Sequence, residues 1–289
     1  MAASTPFEMT PPIPASTPRR RAPAGTVDCH MHIMGPNATY PLAEGREYNP
    51  PDCLLPDYLA MCDVLGIERT VIVNPSVYGT DNACTIDAVR ALGPKKGRAV
   101  AVLDSTVSDA ELKEMDAAGF RGTRFNMVNG LVGLDHLTAT AAKVAALGWH
   151  IQVFVPGAML VELADALADL PCEIVVDHHG MVDGPEGTQI DALKRLLDNG
   201  RTWVKLAGLY RVHPEGKPRY EKGVAISRVL VGHAPERMVW GTDWPHPSLR
   251  NAAMPDDGDL LNGLFEGAGD EATALRILVD NPVKLYGFD

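Results

Sequence analysis

Residues 134–178 read LDHLTATAAKVAALGWHIQVFVPGAMLVELADALADLPCEIVVDH. Leu134–Leu147 places its apolar residues at helical spacing and runs into Gly148, a residue suited to the left-handed turn past a helix end. Trp149–Val155 is then a short β-branched apolar run, which Pro156-Gly157 interrupts. Ala158–Leu170 returns to helical spacing and Glu173–His178 is a second apolar run. Strands apolar along most of their length, separated by helices, belong to a parallel sheet covered on its faces.

The alternation continues outward from this segment. Further apolar runs stand at Thr26–Ile33, Arg69–Asn74, Arg98–Asp104 and Arg121–Asn126 upstream, and at Trp203–Gly208 and Met238–Asp243 downstream, making eight. Helical spacing recurs at Asp57–Leu65, Asp109–Ala118, Asp191–Leu197 and Ala225–Val231. Eight such units in 289 residues suit one closed (β/α)8 barrel of the TIM type better than an open sheet. Residues 26–289 are therefore expected to form a single α/β barrel. Residues 1–25 hold six prolines and the run Arg19-Arg20-Arg21, and are expected to be a flexible tail that stays mobile or lies along the surface. The arginine run reads as solvated charge rather than a targeting signal.

Composition excludes several function classes. With 26 basic and 37 acidic residues the formal charge is −11, which argues against nucleic-acid or anionic-membrane partners. The longest stretch free of charged residues, Val144–Val161, contains Pro156-Gly157 and is no membrane span. The five cysteines show no C-x-x-C spacing, and Cys29 and Cys172 read as small core residues. A reduced thiol set and the lack of an apolar leader lead us to expect a cytoplasmic protein. No residue indicates an oligomeric state.

A barrel of this type carries its chemistry at the C-terminal strand ends. Four of the nine histidines fall there, and His246 lies just past the last strand. His30-Met31-His32 aims both imidazoles to one face, where they can bind a divalent metal or donate to a substrate carbonyl. Asp243, in WGTDWPHP, leaves an apolar strand beside two tryptophans. Partial desolvation is expected to raise its pKa and make it a general base. Arg124 and Arg211 imply an acidic substrate, because a guanidinium forks onto a carboxylate. Tyr78, Tyr210 and Tyr48 are candidates to orient the same ligand, with Asn126 and His246 beside them. Asp81-Asn82 reads as a helix cap.

The H-x-H strand, Arg124-Phe125-Asn126, Val175-Val176-Asp177-His178, the segment Trp240–Pro247, Pro255–Gly258 and Asp280-Asn281-Pro282 together resemble the amidohydrolase superfamily. The branch is the amidohydrolase-related family of 2-pyrone-4,6-dicarboxylate hydrolases, galactarolactone isomerases and sulfomuconolactone hydrolases. The resemblance covers the chain from about residue 25 onward. It implies a (β/α)8 hydrolase, a lactonase of aromatic or sugar-acid catabolism, whose substrate is a small anionic lactone. Asp243 would then activate water, His30, His32 and His178 would polarise the carbonyl, and Arg124 would grip a carboxylate. Where pyrone dicarboxylate hydrolases carry a second arginine and a fifth-strand tyrosine, this chain has Asn129-Gly130 and Phe154, so one anion clamp for the pyrone dicarboxylate is missing, and the lactone implied is of the muconolactone, pyrone or aldaric type. Arg124 and Phe154 also occupy the places where binuclear relatives keep metal ligands, so no two-metal centre is expected. The reaction is expected to need no cofactor, or else one Zn²⁺ on His30, His32, His178 and Asp243. Lactone isomerisation, metal-dependent decarboxylation and simple binding of an acidic ligand are the alternatives.

Overall fold

The computed structural model describes residues 5–249 and 253–288; residues 1–4 of the expected tail and residues 250–252 and 289 of the expected barrel lie outside it. Eight parallel strands form one sheet in sequence order: β1 Val27–Met31, β2 Arg69–Val73, β3 Gly97–Ala101, β4 Phe120–Asn126, β5 His150–Phe154, β6 Ile174–Val176, β7 Thr202–Ala207 and β8 Met238–Gly241. The helices that cover them are α1 Leu55–Leu65, α2 Ala83–Leu92, α3 Asp109–Ala118, α4 Leu137–Ala145, α5 Gly157–Ala168, α6 Thr188–Asp198, α7 Glu221–His233 and α8 Asp257–Ala268. The Asp243 N–H donates to the His30 carbonyl at 2.7 Å and the His32 N–H to the Trp244 carbonyl at 2.8 Å, so the last strand meets the first. This is the expected TIM-type barrel.

Every strand is buried along most of its length, as expected for a sheet covered on both faces. Inside, Val27, Cys29, Val71, Val73, Val100, Val175, Trp203 and Val239 pack over Tyr286 and Phe288 from the C-terminal segment. Helix ends follow local rules: Ser108 caps α3 with a Glu111 capping box, and Gly66 and Gly119 take the left-handed C-cap. At the start of α2 the Ala83 N–H is accepted by the side chain of Asp81, not Asn82.

One irregularity positions the site. The β1–β2 register shifts between Asp28 and Met31, so β1 carries an extra residue there. Such bulges re-aim side chains. Asp28 receives the hydroxyls of Tyr58 on α1 (3.0 Å) and Thr242 (2.6 Å), while His30 turns to the barrel mouth.

The Pro-rich segment lies along the barrel. Phe7–Glu8 pairs with Tyr48–Asn49, and the Ser16 N–H and hydroxyl both donate to the Asp256 carboxylate at 3.0 and 2.9 Å. The Arg19 N–H donates to Asn262 on α8, and Arg19 and Arg20 pair with Glu266 and Glu271 while staying largely exposed. All five cysteines are buried and unpaired. Among the described residues no helix is long and apolar enough to cross a membrane.

Candidate active site

The strand ends bring His30, His32, His178 and Asp243 together, all buried. His32 Nε2 lies 3.5 Å and His30 Nε2 3.7 Å from Asp243 Oδ1, and His178 Nδ1 lies 3.9 Å from Oδ2. Backbone geometry is unusual where these residues leave the strands: φ is +50° at His178, +57° at His179, +64° at Asp243 and +61° at His246. Non-glycine residues in that region persist where the surroundings impose it, and they cluster at functional sites.

The protonation pattern follows from the partners. His32 Nδ1 lies 2.8 Å from the Val73 carbonyl and His178 Nδ1 3.1 Å from the Ala207 carbonyl. A carbonyl only accepts, so both rings carry their proton on Nδ1. Burial holds the His32 pKa below the ordinary value and that of His178 down at about 3, so each ring is neutral and its Nε2 is a lone pair. As neutral rings, His32 and His178 accept protons; they do not donate to a carbonyl.

Asp243 departs from the sequence-based expectation. Burial pushes its carboxyl up, but the Arg211 guanidinium beside it outweighs that and holds it well below the usual carboxylate range. Arg211 Nε donates to Asp243 Oδ2 at 2.6 Å and the Tyr210 hydroxyl at 2.5 Å, leaving Oδ1 without a hydrogen bond. Tyr210, expected on the ligand, is thus on the base. Asp243 is an ionised carboxylate with one oxygen anchored and the other open.

Both arginines, read from sequence as clamps, are tied to buried carboxylates at one end. Arg124 Nε donates to Asp177 Oδ2 at 2.8 Å, and its remaining nitrogens have no hydrogen-bond partner among the described residues. With His32, Tyr48, Ser76, Phe154 and Arg211 it walls a narrow cleft that Asn126 also lines. The Asn126 carboxamide oxygen accepts the N–H groups of Val128 and Asn129, so it also shapes the loop after β4. Two expected ligand contacts are not at the cleft. Tyr78 is turned away, its hydroxyl accepting the Gly35 N–H at 2.7 Å. His246 stands behind Tyr210, its Nε2 3.3 Å from Asp257 Oδ1.

A layer that the strand pattern did not reveal lies beneath the imidazoles. Gln152 Nε2 donates to Asp177 Oδ2 at 3.0 Å, and Lys205 Nζ donates to Gln152 Oε1 at 2.7 Å. Lys205 is fully buried, and burial lowers its pKa to about 8 against the pull of Asp177. The available signal was a lone charged residue in the otherwise apolar run TWVKLA. Close to the imidazoles stand three cations (Arg124, Lys205 and Arg211) and three buried carboxylates (Asp28, Asp177 and Asp243), so the charges balance. The terminal nitrogens of Arg124, at the cleft, are the group suited to an anionic ligand.

His30, His178 and Asp243 each offer a ligand atom, all within 4.8 Å of one another; His32, expected in the set, is not in that group. Nε2 of His30 and of His178 and Oδ1 of Asp243 are buried without hydrogen-bond partners, so by position the trio fits one divalent ion of the Zn²⁺ type, with His30 entering as its Nδ1–H tautomer. Bound there, such an ion would act as a Lewis acid on a carbonyl oxygen.

A family profile described as Amidohydrolase matches residues 27–288. The 2-pyrone-4,6-dicarboxylate hydrolase of Comamonas testosteroni is 37% identical over 285 residues, covering 94% of this chain and 93% of that one. The 4-sulfomuconolactone hydrolase of Rhizobium radiobacter is 39% identical over 295 residues, covering 95% and 96%. The D-galactarolactone isomerase of Agrobacterium fabrum is 35% identical over 289 residues, covering 96% and 97%. The profile takes in all eight strands and these relatives align along nearly their full length, as the strand-end motifs implied: the chain belongs to the amidohydrolase family.

Proposed function

We propose that this enzyme hydrolyses a small anionic lactone, with residues 26–289 as the catalytic unit. The observation that carries the reading is Asp243: an ionised carboxylate, open at Oδ1, set among lone-pair imidazoles, with the Arg124 guanidinium at the cleft. The related hydrolases of pyrone dicarboxylate and sulfomuconolactone support the substrate class.

The terminal nitrogens of Arg124 hold the substrate anion at the cleft, with Tyr48, Asn126 and Arg211 shaping it. Water donates one proton to Asp243 Oδ1 and is aligned by the acceptor Nε2 of His178 or His32. Its oxygen attacks the lactone carbonyl carbon while His30 stabilises the developing oxyanion. Collapse of the tetrahedral intermediate breaks the ring C–O bond. The proton on Asp243 passes to the leaving oxygen, giving a hydroxy acid whose new carboxyl ionises. These residues suffice for the reaction without a metal. The five buried, unpaired cysteines support a cytoplasmic location.

A panel of mono- and dianionic muconolactones, pyrones and aldaric lactones, followed by pH indicator and ultraviolet absorbance, tests the reading. Wild type is expected to open at least one of them. Asp243→Asn is expected to lose about 10²–10⁴-fold in kcat, the usual contribution of a general base. Full activity in that variant would refute the role given to Asp243. The isomerase relative favours a second outcome, in which the acyl group moves to a neighbouring hydroxyl. Product NMR separates it, because a shifted lactone replaces the open acid.

A further inference from the structure

Lys205 is fully buried in β7, where an ammonium is costly to place, and the mechanism above gives it no task. Its Nζ lies 2.7 Å from Gln152 Oε1, 3.4 Å from His30 Nδ1 and 3.7 Å from Asp177 Oδ1. We propose that Lys205 is a positioning residue that fixes the ring proton of His30 on Nε2, so that this one imidazole donates where His32 and His178 accept.

An ammonium has three protons and no lone pair, so each neighbour within hydrogen-bond reach must accept from it. His30 Nδ1 therefore presents its lone pair to Lys205. The competing partner for that nitrogen is Asp177 Oδ1, at 3.3 Å. It is a contact without a hydrogen bond, since Oδ1 forms none among the described residues. Asp177 is held in that attitude by its other oxygen, which accepts from both Arg124 and Gln152. Gln152 in turn cannot be reversed without setting its NH₂ against the ammonium. The chain Arg124–Asp177–Gln152–Lys205 thus settles which way every dipole points, and His30 is its outlet.

With Nδ1 occupied, the proton of the neutral ring sits on Nε2. A second proton could only go on Nδ1, where it would face the ammonium, so the ring carries one proton. That Nε2 has no hydrogen-bond partner and is 3.7 Å from Asp243 Oδ1, beside the point where the attacked carbonyl must lie. His30 is then the oxyanion donor, a role that rests on the lactone reading; the tautomer itself does not.

Ring-nitrogen NMR of ¹⁵N-histidine-labelled enzyme reads the tautomer directly, with His30 assigned by the signals that vanish in His30→Asn. Wild type is expected to show the Nε2–H form. Lys205→Met keeps the length of the side chain and removes its donors. It is expected to convert His30 to the Nδ1–H form, bonded to Asp177, and to lower kcat about 10²–10³-fold at nearly constant KM, the usual cost of one lost oxyanion donor. An Nδ1–H His30 in wild type overturns the proposal without any variant, and so does an Nε2–H form that survives in Lys205→Met. Wild type with the Nε2–H form but no turnover of any lactone would sink the substrate reading and leave the assignment of Lys205 standing.

Discussion

Gly241→Ala is the smallest change that reaches both the seam of the barrel and its chemistry. A methyl group at residue 241 would lie 2.6 Å from His30 Cβ and 2.6 Å from the His30 nitrogen, and 3.0 Å from Asp28 Oδ1, whereas ordinary contacts start at 3.4 Å. The obstacle is main chain and a Cβ, which cannot swing aside. Relief requires β1 and β8 to part by ~0.8 Å, the gap between those contacts. Two consequences follow. Overpacking of this kind costs about 1–3 kcal/mol, or roughly 2–10 °C in Tm for a chain of this size. Displacing His30 from Asp243 by nearly 1 Å should also lower kcat about 10²-fold, since near-attack geometry tolerates little error. Thermal unfolding and the ring-opening assay measure the two effects separately. Gly232→Ala supplies the control: residue 232 lies in α7 with nothing within 4 Å of the added methyl, so it should gain about 0.5–1 kcal/mol from helix propensity. A Gly241→Ala enzyme with wild-type Tm and kcat would refute the claim that the β8–β1 approach sets the site.

Acid sensitivity has an identifiable source in His150, buried at the start of β5 with its pKa lowered to about 3 by burial and by Lys205. The unfolded chain takes up that proton near pH 6.5 and the folded chain does not. Stability should therefore fall as pH drops below 6.5, by about 2 kcal/mol at pH 5 from this group alone, with His178 and His179 acting in the same direction. His150→Gln should flatten the pH dependence of denaturant midpoints, and an unchanged slope would exclude His150 as a contributor. Exhaustive chelation is expected to leave lactone turnover intact. Loss of activity that Zn²⁺ restores would instead assign His30, His178 and Asp243 to an ion.

The fold was legible because each strand is apolar in its own right, and the expected runs differ from the observed strands mainly in extending further at the C-terminal end. That overhang has a physical cause. In Met238–Asp243 the extended chain stops at Gly241, and Asp243 already turns at φ +64° to aim its carboxylate back across the mouth. His30, His32, His178 and Asp243 could be found because barrel topology converts strand ends into one rim. The pairing of Arg124 with Asp177 and Arg211 with Asp243 had no local trace: the partners are 53 and 32 residues apart and meet only when the sheet closes. The sign of the Asp243 shift was missed for that reason, since burial was visible in the sequence and the guanidinium beside it was not. Tyr78 and His246 sit near strand ends in sequence, yet a loop N–H and Asp257 take up their side chains.

The strap formed by the N-terminal segment offers a handle on the far side of the active-site loop. Ser16 shares the Asp256 carboxylate, which also accepts the Gly258 N–H and so caps α8, the helix reached by the chain after Asp243. Arg19, Arg20 and Arg21 follow directly and are bound to Asn262, Glu266, Glu271 and the Asp63 carbonyl. A trypsin-like protease can cut there only when the strap lifts, so its rate of nicking under native conditions measures the opening free energy of this edge of the barrel. A ligand that tightens the Asp243 loop through α8 would be read as slower cleavage, with no chromophore and no knowledge of the substrate needed.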